Sequence, residues 1–323
     1  MAGCLLVADL PAGMDQDQDG IGDECEQHLA ESYAPVVFHS KKDPNLPSSV
    51  EWFLSKTSLW FRDDSCAPLE MTQLILAPDI SALPEFTRTG CGGAVHSGGT
   101  RSSGKRVTFF IDDVDENLRK GGLDTKDWAT YYHAYRNMLG GVTIQYWRFY
   151  PYNSGILFFG DHGGDWEGVH VILDEGLEPF ETAFLGHRGI TYKKWDDVKK
   201  YDKNHPLVLS EPGGHASSQL SESDLSSDNY IIQKTWMNGT DSGGLFNLGE
   251  KTKPMKGMEF IRYSGLWGRP SRFTWPSFLY YINSAYWGPA FNETGMCDGF
   301  IKAWCGGMKD PSEEECYPAD VSK

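Results

Sequence analysis

Residues 141–170, GVTIQYWRFYPYNSGILFFGDHGGDWEGVH, decide the fold that this sequence predicts. From residue 142 to residue 150 the side chains alternate between two faces, which is the period of two that a pleated strand imposes. A glycine-rich turn follows, and a second strand is predicted at 167–173. The stretch therefore indicates two neighbouring strands with a polar turn between them, as in a mainly β protein.

His162, Asp165 and Glu167 lie on or beside this turn and form the first candidate site. Asp165 and Glu167 are two positions apart, so both point to one face of the second strand, and His162 reaches in from the turn. Adjacent carboxylates repel each other unless a cation or a shared proton lies between them. Two carboxylates and one imidazole suit Mg²⁺, Ca²⁺ or Mn²⁺ better than a structural zinc ion, although catalytic zinc stays open. The alternative is an acidic, solvated strand end whose glycines only form the turn.

Motifs along residues 31–290 resemble those of the vacuolar-protein-sorting-associated family, which is named after a yeast sorting factor. In chain order they are YAPVVFHS (33–40), PSSVEWF (47–53), YWRFYPYN (146–153), GDHGGDWE (160–167), GGHAS (213–217) and YWGP (286–289). The resemblance is specific in sequence, but it implies no defined biochemical activity.

Residues 162–167 also contain the element His-x-x-Asp-Trp-Glu, which is similar to the metal site of necrosis- and ethylene-inducing-like toxins. This more distant, toxin-like resemblance implies a β-sandwich and a divalent cation that takes part in recognising membrane glycolipid. The toxins have a further upstream aspartate among their metal ligands. Its best match here is Asn153, whose neutral amide oxygen is a weaker ligand for a cation.

The N-terminal leader carries a second pattern of oxygen ligands, DQDQDGIGDECE at residues 15–26. Acidic side chains occupy loop positions 1, 3, 5, 9 and 12, with glycine at position 6, which is the register that wraps a chain around Ca²⁺. The predicted ligands are the backbone carbonyl of Ile21 and the side chains of Asp15, Asp17, Asp19, Asp23 and Glu26. The alternative is a disordered acidic leader.

A short helix is predicted to follow this loop at 26–33, but residues 1–14 contain no convincing entering helix. The loop therefore resembles half of an EF-hand, and the position of Cys25 is also similar to thrombospondin type-3 repeats. A calcium sensor needs paired hands and a groove that opens. We therefore expect a structural role, in which calcium pins the N-terminus to the main domain.

Length and periodicity predict one main domain. Large β folds often run to ~200–250 residues as one unit, and no linker, charge block or repeat divides this chain of 323 residues. We expect a calcium-binding leader at 1–30 and one β-sandwich-like domain at 31–323, mainly β with long loops and a few short helices. Strands are predicted at 36–39, 58–61, 105–111, 142–150, 167–173, 180–185, 207–209, 230–236 and 258–263. The aromatic spacing at 128–139 fits a helix or, given the glycine pair that follows, a hairpin arm.

The net charge of −16 argues against nucleic acid as a partner, because phosphate backbones require clustered Lys and Arg. No stretch approaches the ~20 apolar residues that span a bilayer. The sequence therefore predicts no transmembrane segment, and any lipid contact would be peripheral or through an anchor.

Seven cysteines predict an oxidising, extracellular or cell-surface location. Cysteines are concentrated at the two ends of the chain, so we expect at least one disulfide between Cys25, Cys66 or Cys91 and the C-terminal group of Cys297, Cys305 and Cys316. Cys4 is then the odd thiol. The sequence Ala-Gly-Cys at 2–4 resembles the end of a bacterial lipoprotein cleavage box, although the apolar segment that should precede it is missing.

His39 and His215 are the other candidate catalytic residues. His39 ends a predicted strand, and His215 lies in a Gly-Gly-His-Ala-Ser turn. Each alone is more typical of a hydrogen-bonded structural histidine. If they converge on His162, either could be a general base or an extra ligand beside a metal-activated water.

Two functions from different classes follow. The first is a secreted, cation-dependent protein that binds a glycan, glycolipid or small-molecule ligand through exposed Trp and Tyr around Asp165 and Glu167. The second is a metal-dependent hydrolase of a glycosyl or phosphoester substrate, with His162, Asp165 and Glu167 in catalytic roles. Binding is favoured, because the sequence supplies a cation site more clearly than an acid, a base and a nucleophile. Convergence of His39 and His215 in a deep pocket would favour the enzyme.

Overall fold

The computed structural model describes residues 4, 6, 10–11, 13–100, 107–113, 115–137, 139–155, 161–186, 189–221, 229–236, 243–250 and 252–270. Over these residues the chain is mainly β. Its helices are α1 (Asp23–Tyr33) and α2 (Val50–Leu54). Its strands are β1 (Val36–Ser40), β2 (Thr57–Asp63), β3 (Glu70–Leu76), β4 (Thr87–Thr89), β5 (Val95–Ser97), β6 (Val107–Asp113), β7 (Ala129–Arg136), β8 (Val142–Asn153), β9 (His162–Leu173), β10 (Pro179–Gly186), β11 (Gly189–Lys194), β12 (Lys200–Tyr201), β13 (His205–Ser210), β14 (Ser217–Gln219), β15 (Tyr230–Gln233), β16 (Gly244–Asn247), β17 (Gly249–Glu250) and β18 (Lys253–Pro254).

A six-stranded sheet in the order β11-β10-β9-β8-β7-β16 forms the centre of the molecule. Strands β7 to β11 are antiparallel neighbours, and β16 runs parallel to β7 at the edge. The aromatic segment near residue 130 is therefore a hairpin arm, as the glycine pair after it indicates. The long strands β8 and β9, each of 12 residues, carry the candidate site on their paired ends.

Both faces of the central sheet are covered. On one face, Trp147, Phe149 and Trp166 pack with residues of α2, β2 and β6, where β3-β2-β6 forms a three-stranded sheet. On the other face, Tyr146 and Val169 pack with residues of α1, β1 and β13. There the covering layer is a five-stranded sheet in the order β12-β13-β1-β15, with β14 paired to β13. The prediction of a mainly β, sandwich-like fold is confirmed.

All the predicted strands overlap observed ones except the last. The strand predicted at 258–263 is wrong, because this segment forms a 3-10 helix at Glu259–Arg262. Its consecutive residues Phe260 and Ile261 are both buried in the first core cluster. A strand would point neighbouring side chains to opposite faces, whereas one helical turn can bury both against the same layer.

The leader is packed against the second core cluster. Helix α1 confirms the predicted exit helix but begins at Asp23, and the acidic side chains in its first turn favour the positive end of the helix dipole. Ile21, Cys25 and Leu29 are buried between the leader and the central sheet. The domain division at residue 30 stays a prediction. No helix of the described residues is long and apolar enough to cross a membrane.

Two disulfides, Cys4–Cys25 and Cys66–Cys91, lie in the N-terminal part of the chain. The prediction of a disulfide between the two ends is wrong, because these four cysteines pair with one another. The prediction of Cys4 as an odd thiol is also wrong, and its sulfur is not available for a lipid anchor. The bonds fit an extracellular location. The three C-terminal cysteines and the motif at 286–289 lie outside the described residues.

Candidate functional site

A row of charged and aromatic side chains crosses β8 and β9 near their paired ends. Asp165 pairs across the strands with Tyr150, and Glu167 pairs with Arg148. These four residues share the face of Tyr146, which packs toward α1 and the five-stranded sheet. All four are buried, and the Arg148 side chain is 0% exposed. The alternation of this sequence stretch therefore places a charged cluster, residues 148, 150, 165 and 167, between two sheets.

His215 joins this core cluster from the loop between β13 and β14. Its Nδ1 lies 3.0 Å from Oδ2 of Asp165, and its Nε2 lies 3.1 Å from the carbonyl oxygen of Asn45. Both contacts are with acceptor oxygens, so both ring nitrogens donate a hydrogen bond and the imidazole is positively charged. Oδ1 of Asp43 is 3.8 Å from Nε2. The imidazole also stacks on Tyr150, with ring centroids 3.9 Å apart and planes 8° apart.

The charge of His215 is stabilised from both sides. Burial by itself would lower the pKa of His215, but the hydrogen bonds and negative charges of Asp165 and Asp43 outweigh burial and raise the pKa. The backbone at His215 has φ 56°, which non-glycine residues rarely adopt, and its N–H donates to the carbonyl of Glu211 at 2.7 Å. The turn is therefore held so that the ring points into the cluster.

Arg148 and Glu167 form the other half of the core cluster. The Nη2 of Arg148 donates to the hydroxyl of Ser217 at 2.7 Å, whereas its buried Nη1 has no hydrogen-bond partner among the described residues. Burial and the charge of Asp165 raise the pKa of Glu167 well above its usual range, although Arg148 opposes this. Arg148 therefore only partly offsets the effects of burial and of Asp165 on Glu167.

His39 lines the core cluster without contacting its carboxylates directly in the described geometry. Its Nε2 is 3.2 Å from Oε1 of Gln233, and its ring packs 4.9 Å from Trp128 and 6.1 Å from Tyr150. Burial, and then the positive charge of Arg148, lower the pKa of His39 to about 3. His39 is therefore a neutral part of the wall, whereas His215 enters the cluster.

The end of the β8–β9 ladder carries His162 and Asn153, which face each other as a cross-strand pair. Both are nearly buried, at 6% and 7% exposure. His162 was predicted in a turn, but it is the first residue of β9, and the two glycines after it lie inside the strand. Gly164 has φ +62°, and a Cβ there would lie 2.0 Å from the carbonyl oxygen of Trp267. Glycine is needed at 164 because the backbone of Trp267 crosses the strand at that point.

His162, Asp165 and Glu167 do not form one compact ligand set in this geometry. Among the described residues, three groups place ligand atoms within 4.8 Å of one another: Asp15, Asp17 and Asp19; Asp17, Asp23 and Glu26; and Asp63, Cys66 and Cys91. The cysteines of the last group are bonded to each other. At the core cluster a divalent cation stays a prediction, and it would share Asp165 with His215.

The predicted exposed aromatic rim is wrong for the side chains closest to the carboxylates. They are buried at 0–2% exposure and pack in the layers on either side of the sheet: Tyr146, Trp147, Tyr150 and Trp166. At the end of β8, Tyr152 is partly exposed, with the guanidinium of Arg119 4.6 Å from its ring centroid. The four buried aromatic side chains alternate between the two faces of the central sheet, and they lie in the core because both faces are covered.

Sequence reasoning also missed Arg148 and Asp43 as members of the core cluster. The signal for Arg148 was present, since a charged side chain between the aromatic residues Trp147 and Phe149 of a predicted strand must find buried partners. Asp43 gave no such signal, because its contact with His215 joins residues far apart in the chain.

No family model matches the chain, including any of the vacuolar-protein-sorting-associated family or of EF-hands, and no curated protein matches it. Similar solved structures belong to the toxin fold that residues 162–167 resemble. NLPPya in complex with mannosamine is 18% identical at a TM-score of 0.29, over 43% of this chain and 58% of that chain. A toxin fold described as a basis for microbial attack and plant defense is 17% identical at 0.30, over 51% and 65%.

Necrosis and Ethylene inducing Protein 2 from the causal agent of cocoa's Witches Broom disease is 16% identical at a TM-score of 0.31, over 71% of this chain and 87% of that chain. A further NLPPya structure holds glucosamine. This chain thus spans less than two thirds of the NLPPya complexes with amino sugars, at 58% and 64% of their lengths.

Proposed function

We propose that this protein is secreted and binds a glycan, free or as a glycolipid headgroup, through a divalent cation at Asp165 and Glu167. The observation that carries the proposal is the buried carboxylate pair on one face of β9. Burial and the neighbouring Asp165 raise the pKa of Glu167. A cation between the two carboxylates would remove this repulsion, because it compensates both charges at once.

A glycan suits such a cation. Mg²⁺ and Ca²⁺ take oxygen ligands, and Ca²⁺ accepts several neutral oxygens beside carboxylates. His162 and Asn153 end the ladder on the same strands, and they would complete the ligand set from the protein. Sugar hydroxyl groups would then complete the coordination of the cation where the β8–β9 ladder ends.

The same geometry supports the hydrolase less well. Both ring nitrogens of His215 are within hydrogen-bond distance of acceptor oxygens, so the ring has no basic nitrogen to offer as a general base. His39 is neutral, but it is 0% exposed, and its Nε2 is within hydrogen-bond distance of Oε1 of Gln233. Neither histidine therefore presents a base to a substrate.

The test is a glycan array and calorimetry with the chain in Ca²⁺, Mg²⁺ or Mn²⁺. We expect Asp165→Asn and Glu167→Gln each to weaken binding at least tenfold, as a chelator should, while circular dichroism stays unchanged. Glu181→Gln is the matched control, because Glu181 is also a strand carboxyl whose pKa burial raises, but it lies on β10 away from the core cluster.

Glycan binding that survives both substitutions and the chelator would contradict the proposal, as would a folded protein that binds no glycan in any of the three cations. Nitrophenyl glycosides and phosphoesters are assayed in parallel. Release of nitrophenol that is lost in Glu167→Gln would indicate the hydrolase instead.

A further inference from the structure

The acidic loop, residues 15–26 of the leader, turns its carboxylates inward. Asp15 and Asp17 are each 3% exposed, and Glu26 is 1% exposed. Oδ2 of Asp15 accepts a hydrogen bond from the N–H of Gly20 at 3.0 Å. Gly20 has φ +88°, so the chain reverses direction at the glycine of loop position 6. The loop is therefore an ordered part of the fold, attached to α1.

Five carboxylates adjoin one another inside this loop. Asp17 places an oxygen within 4.8 Å of ligand oxygens of Asp15 and Asp19, and it does the same with Asp23 and Glu26. These are the carboxylate positions that the spacing of the sequence predicts for calcium. Asp17 belongs to both groups, so it lies at the centre of the set.

Backbone N–H groups and the side chains of Gln16 and Asn247 donate hydrogen bonds to this set, but they leave part of it without a donor. Oδ1 of Asp17 and Oδ2 of Asp19 are buried and accept no hydrogen bond from any described residue. The charged groups that act most strongly on Asp17 and Asp19 are other carboxylates. A buried carboxylate without a partner is costly, so the set calls for a cation.

Glu26 connects the acidic loop to the central sheet. Its Oε2 accepts a hydrogen bond from Nδ2 of Asn247 at 2.9 Å, and Asn247 is the last residue of the edge strand β16. One helical turn further along α1, the hydroxyl of Tyr146 donates to the carbonyl of Ala30 at 2.9 Å. The same glutamate therefore touches both the carboxylate set and the sheet.

We propose that the acidic loop binds one Ca²⁺ ion and that this ion fastens the leader to β16 through Glu26 and Asn247. The site is separate from the proposed glycan site and does not depend on it. Ca²⁺ fits better than Mg²⁺, because Ca²⁺ takes 6–8 oxygen ligands in a flexible geometry, whereas Mg²⁺ demands a near-ideal octahedron and keeps several waters. The five carboxylates, with the backbone carbonyl of Ile21 that the sequence predicts as a further ligand, would suit the larger number of ligands that Ca²⁺ takes.

Calorimetry with CaCl₂ on the chelator-treated full chain tests the stoichiometry. Asp17→Asn with Asp19→Asn keeps the shape of both side chains and removes two charges, so we expect the loss of one calcium equivalent. Asp79→Asn is the matched control, because Asp79 accepts hydrogen bonds from Ser81 in an exposed turn outside the carboxylate sets. Asp165→Asn should retain the leader equivalent, which separates this inference from the glycan site.

Thermal unfolding provides a second readout with a distinctive sign. Calcium at about 100 times its Kd should raise the Tm of the wild type by roughly 4–8 °C. The double substitution should abolish this rise. In chelator, however, the variant should unfold at a higher temperature than the wild type, because it lacks the like charges. Side chains with a purely structural role would instead lower the Tm in both conditions.

Asn247→Ala tests the fastening. It should leave one calcium equivalent but weaken calcium affinity several-fold, and hydrogen exchange of residues 15–33 should become faster. Unchanged calcium stoichiometry in the double variant, or a wild-type Tm that ignores calcium, overturns the site. If the double variant does not fold, Asp17→Asn alone and the wild-type calcium titration decide. Unchanged affinity and exchange in Asn247→Ala would overturn the fastening alone.

Discussion

The core cluster and the acidic loop both bury carboxylates, but they compensate them by different means. In the core cluster, Asp165 faces the imidazole of His215, and Glu167 pairs across the strands with Arg148. In the acidic loop, the charges that act most strongly on Asp17 and Asp19 are negative.

The buried carboxylates of the two regions therefore depend on different partners. The core cluster has cationic side chains of its own, Arg148 and His215, and is built largely by long-range contacts. The acidic loop is local in sequence, and it leaves two buried carboxylate oxygens without hydrogen bonds from the described residues. Removing a cationic side chain from the core cluster should therefore lower the stability of the protein. Removing a carboxylate from the acidic loop should not lower it when calcium is absent.

The largest effect is expected at Arg148. Arg148→Met keeps the length of the side chain but leaves Glu167 and its surroundings without the guanidinium, so it should lower the free energy of unfolding by about 3–5 kcal/mol. Urea denaturation at pH 7 measures the loss. Arg262→Ala removes an exposed ion pair with Glu85 and should change the free energy by less than about 1 kcal/mol. Equal effects of the two substitutions would mean that the core cluster is not held by its internal cation.

A second effect contrasts two buried histidines, His215 beside the core cluster and His170 on β9 of the central sheet. His170 is 0% exposed, and neither ring nitrogen has a hydrogen-bond partner among the described residues. Burial, and then the charge of His133, lower the pKa of His170 to about 3. His170 therefore takes up a proton below about pH 6.5 in the unfolded chain but only near pH 3 in the folded chain. The folded state consequently loses stability as the pH falls from about 6.5 to about 3.

His170→Leu removes this proton linkage. When the pH falls from 7.5 to 5, the free energy of unfolding should decrease by roughly 2 kcal/mol less in the variant than in the wild type. Urea denaturation at the two pH values measures the change. If stability depends on pH in the same way in the wild type and in the variant, then folding does not lower the pKa of His170.

The smallest effect is expected where the acidic loop meets the sheet. In calcium, Asn247→Ala should lower the free energy of unfolding by about 1–2 kcal/mol, because it removes a hydrogen bond to a charged group. Gln73→Ala is the control, since Gln73 donates to the neutral hydroxyl of Ser58 and lies outside both clusters. A loss of the same size in Gln73→Ala would remove the special role of Glu26 as a connection.

The strands could be predicted from the sequence because their period of two is a local signal, and the shared face of Asp165 and Glu167 follows from it. The partner of Asp165 could not, because His215 is 50 positions away and reaches it through the packing of two sheets. The prediction of the disulfides was wrong for a similar reason, because the spacing of cysteines in the sequence does not determine which of them pair. The acidic loop was the reverse case. Its ligands are close in sequence, and only their connection to Asn247 depends on the fold.

The Cys4–Cys25 bond closes a covalent ring around most of the acidic loop, with a sequence separation of 21. A single cut by a protease inside that ring would open it without releasing a peptide, because both new ends would stay attached through the sulfurs. Under non-reducing conditions the mass would rise only by that of one water molecule. A protease can therefore cut the leader once and still leave that segment next to α1.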